Sequence, residues 1–304
     1  ARAAQLAKTD LVTEMVLEFP ELQGIMGHYY ARHDGEDATV ALALEEQYLP
    51  RFAGDAIPTT KAGMAIALAD RLDTLTGIFG IGQRPTGAKD PFALRRATIG
   101  ALNILIKGEL DLDLRELLTV SAEQHRDLPK AEGLVEDVLE YMLDRFRAWA
   151  SDEGMGAELY LAVRTLKISN PLDFARRLRA VHAFGERPEA AALAAANKRV
   201  SNILAKAEHD GRTEVDASLL SEPAEQALAD ALTARGAEVA PLFAAARYQE
   251  ALDALASLRE PVDAFFDQVM VNADDAAVRA NRLAILASLQ GLFMGVADIS
   301  LLTQ

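Results

Sequence analysis

The sequence contains no cysteine and few aromatic residues. The missing cysteine excludes disulfides, zinc–thiolate sites and cysteine nucleophiles together. No apolar run approaches the ~20 residues that span a bilayer. Aromatic side chains make up only 6% of the chain, and the β-branched and aromatic runs that favour strands are scarce. These absences exclude a disulfide scaffold and disfavour a sheet, and they are compatible with a reducing cytoplasm, where we expect the protein to reside.

Positive charge is scarce overall, because the formal net charge is −15. This balance argues against a general nucleic-acid coat, which needs local Lys and Arg for phosphate contacts. Two stretches of the sequence carry more basic than acidic side chains. Residues 84–107 carry five basic side chains and one acidic, and residues 170–210 carry seven basic and five acidic. An anionic partner is therefore expected at these two places, although scattered ion pairs on a solvated helix face would give the same counts.

Ala, Leu, Glu and Arg dominate the sequence, and these residues favour helix. Apolar periodicity predicts helices over about 5–18, 38–48, 60–76, 90–107, 110–124, 132–151, 173–182, 188–209, 222–243, 247–270 and 274–302. The N-terminus has neither an initiator Met nor an apolar signal core, so we expect the chain to be cut from a longer protein. The predicted fold is all-α, with one domain at 1–151, a linker at 152–172 and a second domain at 173–304.

His33-Asp34, followed by Asp70 on an apolar helix, suggests a metal-dependent phosphohydrolase of the HD type. Such sites also need an earlier His ligand. The N-terminal helix offers Glu14 and Glu18 instead. We therefore predict no metal and no catalytic residue, with His33, Asp34 and Asp70 as degenerate ligands on an HD-like helical scaffold. A phosphohydrolase acting on a nucleotide stays open as the alternative function.

The glycines at 77, 80, 82 and 87 predict a flexible loop that contacts a partner through its backbone. They do not form a phosphate-binding loop, since neither a preceding strand nor a following Lys-Ser/Thr pair is present. Asp90 and Pro91 then predict the N-cap and first position of the next helix.

Several motifs in fixed order resemble the β subunit of the heterotetrameric bacterial glycyl-tRNA synthetase. In the first half they are EFPELQG at 18–24, QYLPRFAG at 47–54, ADRLDTL at 69–75, GIFGIG at 77–82 and KDPFALRR at 89–96. In the second half they are AAANKRVSNIL at 194–204, PVDAFFDQVMV at 261–271, RANRL at 279–283 and VADIS at 296–300. The resemblance spans nearly the whole chain but only the C-terminal part of that subunit.

The resemblance implies an HD-like domain followed by a helical bundle similar to the DALR-type anticodon-binding domain of arginyl-tRNA synthetases. It further implies that the chain positions tRNA-Gly for aminoacylation. The active site and its ATP and Mg would then belong to the α subunit, in an α2β2 assembly, with no cofactor on this chain.

Basic side chains at helical spacing are the candidate tRNA-binding residues. Arg282 could instead pair with Asp263 or Asp267, and at least one of the adjacent residues Phe265 and Phe266 should be core. The expected contacts to the anticodon arm are Lys198, Arg199, Lys206, Arg247, Arg279 and Arg282. The expected contacts of the first domain, to tRNA or to the rest of the synthetase, are Lys89, Arg95 and Arg96.

Overall fold

A computed structural model describes residues 1–52, 54–86, 89–125, 127–207 and 211–302. Within those ranges the regular elements are helices, with a single isolated bridge between Thr86 and Lys89. The all-α prediction is confirmed. The first eight helices are α1 (Arg2–Gln5), α2 (Glu14–Glu18), α3 (Ile25–His33), α4 (Ala38–Glu46), α5 (Lys61–Gly80), α6 (Leu94–Lys107), α7 (Leu114–Gln124) and α8 (Leu134–Asp152). The next seven are α9 (Ala157–Arg164), α10 (Pro171–Gly185), α11 (Ala190–Lys206), α12 (Pro223–Ala244), α13 (Tyr248–Leu255), α14 (Arg259–Gln268) and α15 (Ala276–Met294).

The chain divides into two compact units. Unit 1 comprises residues 1–149 and 169–172, and unit 2 comprises residues 150–168 and 173–304. The segment expected as a linker, 152–172, contains helix α9. Each described helix is too short or too polar to cross a bilayer.

The N-terminal segment of unit 1 is broken where a continuous helix over 5–18 was predicted. Lys8 adopts a left-handed φ of 64°, and a 3-10 turn at Thr9–Val12 separates α1 from α2. The cause is tertiary. Asp10 is buried and accepts hydrogen bonds from Gly24 N at 2.7 Å and from the Tyr48 hydroxyl at 2.8 Å. Two remote donors therefore override local helix propensity.

Helix α5 is the centre of unit 1 and runs four residues past the predicted end. Gly77 and Gly80 lie inside the helix rather than in a loop, and so the flexible-loop prediction is wrong for them. A Cβ on Gly80 would stand 2.5 Å from Leu128, so this glycine permits close packing. Gly87 lies outside the described residues, as does the predicted end of the 188–209 helix.

The start of α5 is fixed by a buried carboxylate. Glu46 accepts hydrogen bonds from Thr59 N and Oγ1 at 2.7 and 2.6 Å and from Thr60 N at 3.1 Å. Thr60 is the N-cap and accepts from Gly63 N at 2.9 Å. A Cβ on Gly63 would stand 2.2 Å from Glu46 Oε2. Burial alone would raise the pKa of Glu46, but the threonine hydrogen bonds outweigh it and lower that pKa.

Helix α6 begins at Leu94, three residues later than predicted. Asp90 nevertheless caps its first turn, because its carboxylate accepts from Leu94 N at 2.8 Å and Arg95 N at 3.0 Å. The N-cap position is occupied by Ala93, so the prediction of Asp90 as N-cap and Pro91 as first helical residue is wrong, although Asp90 does accept from the first backbone N–H groups of the helix.

Unit 2 is a bundle in which α12 packs against α13, α14 and α15, and α11 against α14 and α15. The helix predicted over 247–270 is split by a 3-10 turn at Ala256–Leu258. Pro261 explains the split. In a regular helix its ring would clash with the backbone carbonyl of residue 257, four positions earlier. Arg177 joins three parts of the bundle by donating to Asp173 at 2.8 Å, to the Tyr248 hydroxyl at 2.8 Å and to the Gly295 carbonyl at 2.7 Å.

Candidate nucleic-acid interface

Helix α11 places three candidate cations on an exposed surface of unit 2. Lys198, Arg199 and Lys206 are exposed, whereas Asn197 and Val200 face the interior. The stretch from Lys198 to Lys206 contains no acidic residue and extends about 12 Å along the helix at 1.5 Å per residue. This α11 face is therefore a positively charged ridge on an acidic chain.

Arg199 lies over an aromatic ring. Its guanidinium carbon is 4.2 Å from the centroid of the half-buried Phe266 ring, while the neighbouring Phe265 is fully buried. The expectation that at least one of these two residues is core is confirmed. The contact orients the Arg199 guanidinium at the surface, an arrangement suited to a phosphate or a base.

Arg247 lines a groove of unit 2 together with Arg176 and Arg179, with a cavity volume of about 340 Å³. Its Nε donates to Glu250 Oε1 at 2.6 Å, and this hydrogen bond raises the pKa of Arg247. Glu250 and Asp253 also line the groove. The mixed charge makes this groove less favourable for phosphate than the α11 face.

Arg282 must be withdrawn from the tRNA-binding set. It is 7% exposed, and its Nε donates to the buried carboxylate of Glu225. Its Nη1 donates to the Met270 carbonyl at 2.7 Å. Neither Asp263 nor Asp267 is the partner, contrary to the alternative considered from the sequence. A guanidinium held in this way stabilises the bundle and does not reach a phosphate.

Arg279 lies one turn earlier on α15 and is half-buried. Its Nη1 donates to the carbonyl of Ala273 at 2.8 Å, in the loop that precedes the helix. The remaining donors of its guanidinium could still bind a phosphate, so Arg279 stays a prediction.

In unit 1, Arg95 and Arg96 line one groove of α6. Arg96 is exposed and Arg95 is half-buried. The groove also contains Arg51 and Phe52, which follow α4, and has a cavity volume of about 150 Å³. Lys89 is exposed in the loop before α6 and is not part of the groove lining.

The degenerate HD residues do not form a metal site. His33 and Asp34 contact each other at 3.1 Å, with side chains that are 87% and 74% exposed. Asp70 instead accepts a hydrogen bond from Lys8 Nζ at 3.1 Å. Across the part of the chain that the structure describes, no group of three or more His, Asp or Glu side chains could hold a metal ion.

Sequence reasoning missed Arg51, Phe52 and Asn103, which complete the α6 groove. Arg51 and Phe52 are adjacent in the QYLPRFAG motif, and this basic–aromatic pair was the available signal. Their distance in sequence from Arg95 hid the connection. Only the packing of the loop after α4 against α6 brings them together.

Two family models match this chain. Residues 1–165 match the family model described as glycyl-tRNA synthetase beta subunit, and residues 193–296 match the DALR anticodon binding domain. The second match contains the whole α11 face.

Individual relatives are similar along essentially the whole chain. The glycine–tRNA ligase beta subunit of Chromohalobacter salexigens is 72% identical over 304 residues, which is 100% of this chain and 44% of that protein. The beta subunits of Pseudomonas aeruginosa and Pasteurella multocida are 61% and 56% identical over 302 and 301 residues, each 99% of this chain and 44% of the relative. The chain thus spans less than half the length of these curated relatives.

Proposed function

Since this chain belongs to the glycyl-tRNA synthetase β-subunit family, we propose that it is the tRNA-binding part of a glycine–tRNA ligase β subunit. In this proposal it holds tRNA-Gly in place while a separate α subunit joins glycine to the tRNA with ATP and Mg. The chain itself carries no catalytic residue and needs no cofactor. Two such β subunits would assemble with two α subunits in the cytoplasm.

The α11 face is the observation that carries the proposal. It lies within residues 193–296, which match the DALR anticodon binding domain. It presents Lys198, Arg199 and Lys206 to solvent, with Phe266 beneath the Arg199 guanidinium. Phosphate oxygens need such cations for positioning, and an unpaired base of an anticodon loop can stack on a guanidinium plane. We therefore assign the anticodon arm to this face.

For unit 1 we propose an HD-like scaffold that has no metal chemistry. The support is the exposed position of His33 and Asp34 and the pairing of Asp70 with Lys8. A nucleotide phosphohydrolase would need these side chains to converge on a metal. No observation favours that alternative, and the scaffold is left to position RNA or the rest of the synthetase.

The test is binding of a tRNA-Gly transcript to the full chain, followed by fluorescence anisotropy over about 50 to 200 mM salt. The double variant Lys198→Glu/Arg199→Glu should bind about tenfold more weakly, because two phosphate contacts are lost. The slope of log affinity against log salt should fall by about 0.7 to 0.9 for each lost contact.

A matched control reverses two other exposed cations of unit 2, Lys167→Glu/Arg259→Glu. Its net charge equals that of the test variant, so a general electrostatic effect would weaken both alike. Equal loss in the two double variants, or no loss in either, would refute the assignment of the α11 face.

A further inference from the structure

The α6 groove of unit 1 combines three arginines with an exposed aromatic ring. Arg51, Arg95 and Arg96 line it, together with Phe52 and Asn103, and no carboxylate is among its lining residues. On a chain with a net charge of −15, such a local excess of cations marks a surface complementary to a polyanion.

Phe52 is 65% exposed and lies in the loop between α4 and α5. A single exposed apolar residue is ordinary. Here the ring stands beside guanidinium groups in a groove, and that pairing of an aromatic platform with a cationic wall is typical of single-stranded nucleic-acid sites. An acidic peptide would use the arginines but would leave the ring without a stacking partner.

The loop that presents Phe52 is fixed by hydrogen bonds from α5. Arg71, buried on α5, donates to the carbonyls of Leu49 at 2.8 Å and Pro50 at 3.0 Å, directly before the groove residues. Gly100 of α6 lets this arginine approach, because a Cβ there would stand 2.6 Å from Arg71 Nε. The loop and α6 are therefore kept at a fixed spacing.

The Arg51 side chain is also positioned before any ligand binds. Its Nη2 donates to the Gln23 carbonyl at 3.1 Å, and its backbone N donates to Asp55 at 2.8 Å. A groove whose walls are already ordered loses less conformational entropy on binding.

We propose that the α6 groove binds an unpaired nucleotide of an RNA single strand, a second RNA site separate from the α11 face. The base stacks on Phe52, Arg51 and Arg96 contact the flanking phosphates, and the Asn103 amide bonds to the base edge. The proposal deepens the proposed tRNA-binding function and rests on it for the identity of the polyanion.

The first test uses the indole of Phe52→Trp as a probe. The chain contains one other Trp, and Trp149 is only 4% exposed. Titration of the full-length variant with a short single-stranded oligoribonucleotide should quench the added fluorescence saturably, because a stacked base quenches indole. The same strand in a duplex should not. Tyr29→Trp, at a site of 63% exposure on α3, is the matched control and should stay unquenched by either RNA.

The second test measures the affinity of the full chain for tRNA-Gly. Phe52→Leu should weaken binding at least about fivefold, the loss expected when one stacked base is removed. Arg96→Gln should lower the slope of log affinity against log salt by about 1, the change expected for one lost phosphate contact. Tyr29→Leu and Arg32→Gln are the matched exposed controls and should leave both quantities unchanged.

The outcomes separate this proposal from the previous one. Loss with Lys198→Glu/Arg199→Glu but none with Phe52→Leu or Arg96→Gln overturns the α6 groove and leaves the α11 face intact. The reverse result supports the groove and refutes the α11 assignment. Displacement of the oligoribonucleotide from Phe52→Trp by polyglutamate as readily as by unlabelled RNA would show a general polyanion surface and overturn the nucleotide site.

Discussion

Replacing Arg282 by Leu should destabilise unit 2 without changing the RNA affinity of the molecules that remain folded. Arg282 and Glu225 form a buried ion pair, and the arginine also donates to the Met270 carbonyl at 2.7 Å. Removing one partner of a buried pair typically costs about 3–5 kcal/mol, because the other charge remains in a site without solvent. For a unit of this size that corresponds to a fall in Tm of roughly 6–20 °C.

The pair also connects two helices. Glu225, the third helical residue of α12, completes the capping box by accepting from Ser221 N at 2.8 Å and Glu222 N at 3.1 Å, while Arg282 belongs to α15. The double variant Glu225→Leu/Arg282→Leu removes both charges together with the box. The free energy of unfolding should therefore fall less than in Arg282→Leu alone, by about 1–2 kcal/mol for the lost cap.

The assay is calorimetry, with hydrogen exchange of α12 and α15 amides to assign the transition to unit 2. Arg259→Leu is the control, because its exposed pair with Asp263 at 3.7 Å should contribute less than about 1 kcal/mol. If Arg282→Leu kept its stability within about 1 kcal/mol and lost tRNA affinity, the buried position of Arg282 would be refuted. The original assignment to RNA would then return.

Further predictions concern packing, pH and metal. Gly63→Ala should lower the free energy of unfolding by about 1–3 kcal/mol in urea titrations, because the added Cβ would stand 2.2 Å from the Glu46 carboxylate. Because the folded state lowers the pKa of Glu46, this carboxylate stabilises the protein above pH 4.5, its ordinary pKa, and the stabilisation is lost as pH falls through the lower folded pKa. Glu46→Gln should therefore flatten the acid side of a plot of Tm against pH. Burial, and then the hydrogen bond to Asp173, raises the pKa of Tyr248 from 10.0 to about 12. The stabilisation by Tyr248 is complete below pH 10 and is lost as pH rises through about 12. Tyr248→Phe should therefore reduce the loss of stability at alkaline pH. Elemental analysis should find the same metal content in Asp70→Asn as in the parent chain, and stoichiometric Mn, Fe or Zn that Asp70→Asn removes would contradict the metal-free scaffold.

Helix existence could be predicted from the sequence, but several boundaries could not. Composition and apolar periodicity predicted the all-α fold, since both depend on residues that are close in sequence. The break at Asp10 and the continuation of α5 through Gly80 depend on Tyr48 and Leu128, which are remote in sequence. Local propensity contains no information about such partners.

The candidate site shows the same division. Charge counting identified the helix that carries Lys198, Arg199 and Lys206, and all three side chains are exposed as expected. It could not separate Arg279 from Arg282, which lie three residues apart on α15. Only the position of the buried Glu225 beside Arg282 shows that the Arg282 side chain points inward.

By itself, the sequence determined the helical class, the family resemblance and the two stretches where positive charge gathers on an acidic chain. Each depends on residue type and spacing along the chain. The tertiary structure decided which arginines reach solvent and which single groove unites Phe52 with Arg95 and Arg96. It did so because burial and charge complementarity arise between residues that only packing brings into contact.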